Sequence, residues 1–358
     1  MASLVDGGAP APASLRAWLR CRAGLEPILE EECAEILPEL GARAVTAGLV
    51  EGTLRGPLDR LYLLRTMLHA SFPLHFARGA SGAEAAERAL VEAMRSELAL
   101  SILRAWTRGP LRYRIEWAQG GHRRASTFRA AKAISAARPE LVNDPASSPW
   151  EVVVREHGGG IDVELWPRGF DDRRFSWRLG EVPAASHPTL AAALVRVSGL
   201  RVDDVVWDPF VGSGSELVER ARRGRYARAF GTDLDERAIA VARENLRAAG
   251  VEGVTLARMD ARAFEPPERP TLILTNPPMG RRLSSFEEVE KLYLEVLATA
   301  ARVLADDGRL VWISPVADKT LAMARGLGLR ETLRRNVDMG GFTAAIQRFE
   351  REGAAKRA

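Results

Sequence analysis

Asn276-Pro277-Pro278-Met279 follows an apolar run, Leu272-Ile273-Leu274, that reads as a buried strand. Asparagine offers an amide oxygen as acceptor. Proline has no backbone N–H, so this turn presents carbonyls in place of donors. Two acceptors converging on an exocyclic amino group would fix both of its hydrogens and aim the nitrogen lone pair at an electrophile. The catalytic contribution is positioning, together with acceptors preset for the positive charge that develops on nitrogen. No strong base is required, because the alkylated amine becomes acidic and sheds its proton late. A base inside a nucleic-acid helix must first be flipped out to reach such a clamp. Asn-Pro and Pro-Pro are also ordinary turn formers, so the motif takes its weight from what stands beside it.

Upstream, Asp208-Pro209-Phe210-Val211-Gly212-Ser213-Gly214 ends one apolar run, Val205-Trp207, and leads into a helical stretch. Glycines there let the backbone pass close to a ligand, and a helix N-terminus favours negative charge. A nicotinamide-dinucleotide fingerprint asks for a third glycine where this chain has Leu217, and no hydride-chemistry constellation follows. Asp233 closes the next run, placed to accept the hydroxyls of a ribose. Asp260 follows the third, within reach of an adenine amino group. Singly, each acid reads as a helix cap or loop residue. Three acids at successive strand tips on one sheet edge form a ligand cleft. Adenosine carrying an amino-acid carboxylate fits the set, which points to S-adenosyl-L-methionine beside the amine clamp.

The elements that must hold these residues begin near position 181. Val205-Trp207, Ala227-Thr232, Val254-Ala257, Leu272-Thr275 and Leu310-Ser314 are apolar runs separated by helical stretches such as Glu236-Ala249 and Phe286-Leu304. Continuous apolar strands alternating with helices predict a parallel α/β sheet covered on both faces. Residues 329–350 read as a terminal antiparallel hairpin about Gly340-Gly341. The N-terminal half has a different pattern. Leu25, Ile28, Leu29, Cys33, Ile36, Leu37 and Leu40 line one helix face, and residues 58–68 read as a second helix. Gly79 to Gly82 marks a junction. Beyond it come a long helix or helix pair over 84–106, an alternating strand over 111–117 and a short basic helix over 127–137. Two strands flank His157-Gly158-Gly159-Gly160, a hairpin signal in which His157 is a turn residue. The predicted division is a flexible tail (1–13), an α+β domain (14–79), a second α+β domain (80–170), the α/β domain (171–350) and a tail (351–358).

The chain has 358 residues and a net charge of +4. Residues 101–140 hold nine basic residues against only Glu116 and Glu140. A basic patch on a near-neutral body fits a polyanion partner, with Arg123, Arg124, Arg129 and Lys132 as candidate phosphate contacts. Cys21 and Cys33 do not have the spacing of a metal motif, and no structural zinc site is expected. No signal-peptide core and no membrane-length apolar run is evident, so a cytoplasmic location is expected.

These residues resemble the class I S-adenosylmethionine-dependent methyltransferases, and more narrowly the THUMP-domain RNA guanine-N2 methyltransferases of tRNA or large-subunit rRNA. Beyond the Asp-Pro-Phe-x-Gly-Ser-Gly loop, the resemblance covers Leu25 to Glu32, Leu64 to His69, His187 to Leu194 and Ala242-Arg243-Glu244-Asn245. It implies a Rossmann-like domain with a seven-stranded, mostly parallel sheet and an antiparallel terminal hairpin. An N-terminal ferredoxin-like domain and a THUMP-like RNA-binding domain over 80–170 would precede it. By the same resemblance Thr189, Asp208, Gly212, Gly214, Asp233 and Asp260 bind the cofactor, and Asn276, Pro277 and Pro278 hold the target amine. Met279 stands where the family has an aromatic residue that stacks on the flipped base; a thioether also packs on a base face. Gly280 is kept, Arg281 and Arg282 are placed to approach the nucleotide, and the basic aromatic stretch before the core is altered to Arg173 through Arg178. Three other readings compete with guanine N2. They are adenine N6, a protein glutamine amide, and an RNA-binding protein whose methyltransferase domain is degenerate.

Overall fold

The computed structural model describes residues 9–120, 123–183, 185–279 and 285–352. Two compact units emerge: one holds the chain up to Cys21 and Glu30–Arg174, the other Arg22–Leu29 and Phe175 onward. Most of the two expected tails, Gly280, Arg281 and Arg282 lie outside the described residues.

The first unit runs β1 (Leu15–Arg20), α1 (Glu26–Ile36, its first turn counted with the second unit), β2 (Arg43–Thr46), β3 (Leu49–Leu54), β4 (His69–Arg78), α2 (Ala83–Arg95) and α3 (Glu97–Trp106). It continues with β5 (Leu111–Trp117), α4 (Arg124–Ala137), β6 (Leu141–Asn143), β7 (Trp150–His157) and β8 (Gly160–Trp166). The strands form one sheet in the order β2-β3-β1-β4-β8-β7-β5-β6. β4 pairs with β1 on one side and β8 on the other. The glycine-rich junction at 79–82 is therefore no gap in the sheet, since strands before and after it are continuous. The helix pair over 84–106 divides at Ser96, whose hydroxyl caps α3 by accepting from Ala99 N at 3.1 Å. The expected helix over 58–68 is only a 3-10 turn, Leu58–Leu63, after which the chain extends into β4. His157 sits at the β7–β8 turn and accepts from Gly159 N at 3.1 Å.

The second unit runs α5 (Pro188–Arg196), β9 (Val205–Asp208), α6 (Ser215–Arg222), β10 (Arg228–Asp233), α7 (Glu236–Ala248), β11 (Val254–Arg258) and β12 (Leu272–Thr275). Then follow α8 (Phe286–Val303), β13 (Arg309–Ser314), α9 (Ala317–Gly326), β14 (Leu329–Asp338) and β15 (Thr343–Arg351), whose last residue enters the segment expected as a tail. Among the described residues the sheet has seven strands, ordered β11-β10-β9-β12-β13-β15-β14. The first five are mutually parallel, and β15 is antiparallel to both its neighbours. Every residue of β9, β12 and β13 is buried, as strands covered on both faces require. Trp207, Tyr293, Trp312 and Phe349 fill the core. The indole N–H groups of both tryptophans are satisfied, Trp207 by Thr232 Oγ1 at 3.1 Å and Trp312 by Gln347 Oε1 at 3.1 Å.

At the amino ends of the central strands, buried Asp204 ties three elements together. Arg309, the first residue of β13, donates to both its carboxylate oxygens at 2.7 and 2.9 Å, and Arg220 of α6 donates at 3.0 Å. Burial pulls the Arg309 guanidinium below its ordinary value. A guanidinium nonetheless stays charged across physiological pH, so the node is ionic. The short segment Arg22–Leu29 is closed onto β14: Asp338 N donates to Ala23 O at 2.9 Å, and a side chain at Gly24 (φ +98) would overlap the Asn336 carbonyl oxygen. No described helix is long and apolar enough to cross a membrane.

Candidate active site

A cavity of about 440 Å³ opens where the chain leaves the carboxyl ends of β9, β10, β11 and β12. Gly212, Asp233, Asp260, Asn276 and Pro278 all line it. Five of the residues singled out in the sequence, contributed by four strand tips, thus share one wall.

The loop after β9 is shaped by its glycines and by one hydrogen bond to Asp233. Gly212 has φ +50, and its N–H donates to Asp233 Oδ2 at 3.1 Å. The other Asp233 oxygen accepts from Asp235 N at 3.0 Å, so each oxygen keeps acceptor capacity. Gly214 does not line the cavity. With φ +83 it caps α6, and an added Cβ would meet Ala242 of α7 at 3.5 Å. Asn245, on the same helix, pins the loop by donating to Ser213 O at 2.9 Å and accepting from Leu179 N at 2.9 Å. No local sequence signal marks that role.

Asp208 is fully buried at the end of β9. Its Oδ1 accepts from Thr275 Oγ1 at 2.6 Å and from Phe210 N at 3.1 Å, while Oδ2 has no donor. Burial, reinforced by the nearby charge of Glu216, holds its carboxyl well above the usual range despite those two hydrogen bonds. Asp260 has the opposite environment. Arg262 grips its carboxylate at 2.7 Å and also pairs with Glu295 at 3.0 Å. The Arg262 hydrogen bond holds Asp260 below the usual range against a smaller effect of burial. A guanidinium therefore stands on the cavity wall where the sequence indicated a free carboxylate.

Asn276 donates from Nδ2 to Ser186 Oγ at 2.8 Å, and its Oδ1 is buried without a donor. Ser186 in turn donates to Glu216 Oε1. Glu216 lines the cavity from the first turn of α6 and is 3% exposed. Burial pushes its carboxyl up to about 7, against the Ser186 hydrogen bond. The sequence reading missed both Ser186 and Glu216.

Other expected site residues lie elsewhere. Thr189 is buried in α5, its hydroxyl against His187 Nδ1 at 2.8 Å, and is absent from the cavity lining. The Pro277 carbonyl, expected as a second free acceptor, already accepts from Tyr293 OH at 3.2 Å. That hydroxyl is shared with Ile313 O at 3.0 Å, and the second lone pair of Pro277 O remains. Met279 is half-buried beside Pro278. In the first unit, Arg123 is paired with Glu156 at 2.8 Å, and its guanidinium lies 5.1 Å from the Trp117 ring centre. Arg129 is paired with Glu87 at 2.9 Å. Arg124 and Lys132 are exposed on α4 and have no carboxylate partner among the described residues.

Residues 176–345 match the family of RMKL-like methyltransferase domains. The tRNA (guanine(10)-N2)-dimethyltransferase of Methanothermobacter thermautotrophicus is 33% identical over 181 residues, half of each chain. The tRNA (guanine(6)-N2)-methyltransferase of Thermus thermophilus is 37% identical over 161 residues, 43% of this chain and 46% of that one. The chain thus spans about half the length of the curated relatives it matches. The crystal structure of TrmN from Thermus thermophilus superposes with a TM-score of 0.70 at 25% identity, covering 94% of this chain and 99% of that one. The five parallel strands, the glycine loop at the first strand tip and the Asn-Pro-Pro turn at the fourth fall inside the matched segment, which ends three residues into β15. It is residues 176–345, just under half of the chain, that carry the match to the RMKL-like methyltransferase domain family.

Proposed function

We propose that the chain is an S-adenosyl-L-methionine-dependent RNA methyltransferase that methylates the exocyclic N2 amine of a guanine in tRNA or rRNA. The observation that carries this reading is Asn276 Oδ1, a buried acceptor without a donor, on a residue that shares its cavity with Gly212 and Asp233. A buried carbonyl oxygen left unpaired is costly unless a ligand supplies the donor.

The residues present fit the cofactor. The volume suits a nucleoside-sized ligand, and Asp233 keeps acceptor capacity for ribose hydroxyls; Asp208 lies behind the lining, its Oδ2 without a partner. Gly212 and Asp233 would hold it, with Asp208 behind them and Asp260 reaching it through or beside Arg262; Gly214 supports the loop from behind. Thr189 acts at most through the seating of α5. When bound, the cofactor supplies an electrophilic methyl group. Asn276 Oδ1 and the remaining lone pair of Pro277 O would accept the two amine hydrogens, with Pro278 closing the turn and Met279 packing beside the flipped base. As positive charge grows on nitrogen, both acceptors bind it more strongly, which is differential stabilisation of the transition state.

Residues 80–170 are assigned as the THUMP-like part that grips RNA, with the N-terminal α+β domain before it and residues 171–350 as the methyltransferase domain. Arg124 and Lys132 are its available phosphate contacts, and Arg123 and Arg129 would have to exchange a carboxylate for a phosphate. A cytoplasmic location follows from such a substrate. The relatives named above are tRNA guanine-N2 methyltransferases, which favours that amine over adenine N6 or a protein amide. The test is transfer of labelled methyl from S-adenosylmethionine to unmodified total RNA, followed by digestion to nucleosides. Label in N2-methylguanosine is expected. Label in N6-methyladenosine or only in protein overturns the substrate, and failure to bind the cofactor in calorimetry overturns the enzyme.

A further inference from the structure

The Asn276 amide can serve as an acceptor only if its oxygen, not its nitrogen, is left available. A terminal amide can rotate, so some neighbour must choose its orientation. Ser186 Oγ is the partner of Asn276 Nδ2, and Ser186 itself donates to Glu216. Ser186 and Glu216 are 8% and 3% exposed, so water does not supply alternative partners freely. We propose that Glu216 and Ser186 are positioning residues, forming a one-way hydrogen-bond relay that locks the Asn276 amide with Oδ1 as the acceptor left for the substrate amine. The proposal rests on the reading of Asn276 as the amine acceptor.

The direction follows from the donor inventory. An ionised carboxylate only accepts, and a serine hydroxyl has one proton. That proton goes to Glu216, so only lone pairs remain toward Asn276. The amide must then present its NH₂ edge, because a flipped amide would set oxygen against oxygen. The relay holds only while Glu216 is ionised. A protonated Glu216 can donate to Ser186, which frees the serine proton to point at Asn276 and lets the amide turn over. Burial places the Glu216 carboxyl at about 7, so the lock loosens as pH falls through neutrality. The charged groups facing Glu216 are Asp208 at the end of β9, Glu219 one turn along α6, and Arg178 in the segment before α5. Asp233 and Lys291 share its cavity from β10 and α8. An acid placed merely to complement the α6 dipole would need no serine bridge to the strand tip.

The test uses the full chain labelled with ¹⁵N-asparagine, reading the side-chain NH₂ signals of Asn276, assigned by their loss in Asn276→Ala. The wild-type signals are expected to titrate with a midpoint near 7, to stay flat with pH in Glu216→Gln, and to shift and exchange faster in Ser186→Ala. Ser186→Thr, which keeps the hydroxyl, restores them. In parallel, Ser186→Ala and Glu216→Gln should lower kcat by about 10-fold to 100-fold, the usual loss when a supporting partner is removed, with little change in KM for S-adenosylmethionine. The acid limb of the kcat profile should vanish in Glu216→Gln. Amide signals that ignore pH in the wild type, or that titrate unchanged in Glu216→Gln, overturn the relay. A titrating amide in a protein that transfers no methyl supports the relay and removes the reading of Asn276 as the acceptor.

Discussion

Asp204 and Asp208 lie at the two ends of one strand, β9, and neither is exposed to solvent. Burial pushes both carboxyls up. At Asp204 the Arg309 hydrogen bonds and charge, helped by Arg201 N and Arg220, outweigh burial, and the group falls below the usual range. At Asp208 no cation answers, Glu216 adds a like charge, and the group rises well above it. The amino ends of these strands use charge to bind strand to strand. The carboxyl end of β9 leaves Asp208 without a cation, as a site that awaits a ligand does, whereas Asp260 beyond β11 is held by Arg262.

The sharpest way to break this contrast is Asn276→Ala. Methyl transfer to RNA should fall by about 10²-fold to 10³-fold, the cost of losing one preset transition-state partner, while cofactor affinity and thermal midpoint hold. Unchanged turnover would remove the clamp. Next, Asp204→Asn should lower the unfolding free energy in urea by about 3–5 kcal/mol, because it strands two buried guanidinium groups. Asp208→Asn, at a carboxyl that already resists ionisation, should change it by about 1 kcal/mol or less. Equal losses at the two positions would erase the distinction.

A pH series sharpens it further. Below the ordinary value of 4.5 Glu216 is protonated folded or unfolded. Between 4.5 and about 7 only the folded chain keeps the proton, so stability falls as pH rises through that window. Glu216→Gln should therefore gain on the wild type by about 2–3 kcal/mol between pH 4.5 and 8. Asp204 works in the opposite sense: its contribution is present above the ordinary carboxylate range and is lost on acidification. The smallest effect concerns the basic helix. Arg124→Ala and Lys132→Ala should each reduce the slope of RNA affinity against salt by about one unit or slightly less. Arg129→Ala, whose charge is already matched by Glu87, should reduce it less. Equal slopes for all three would show that the existing pairs are broken on binding.

The parallel sheet was legible because β9, β12 and β13 are buried on both faces and so read as unbroken apolar runs. β4 was not read, since Pro73 in its middle argues against a strand. The pairing register slips between Pro73 and His75, which absorbs the missing donor. The helix expected over 58–68 rested on leucine spacing that a 3-10 turn followed by extended chain also satisfies. The strand-tip placements of Asp233 and Asn276 were legible from spacing, as was Asp208 at the end of β9, although Asp208 does not line the cavity. Glu216 was not, because an acid in the first turn of a helix is ordinary, and its link to Ser186 joins residues thirty apart in sequence. Nor does any spacing show that Arg262 covers Asp260 or that Tyr293 meets Pro277. Those contacts exist only once the sheet is assembled.

The small closure of Arg22–Leu29 onto β14 has a consequence for anyone who cuts this chain. A fragment that starts at Phe175 looks like a complete methyltransferase domain, yet it leaves Asp338 N without its acceptor and opens the backbone surface that Gly24 covers. Truncation and domain exchange must therefore carry a stretch from near the N-terminus. The unit with the Asn-Pro-Pro turn is inherited from two places in the sequence at once, and a chimera that honours only one of them will be missing a piece of its own wall.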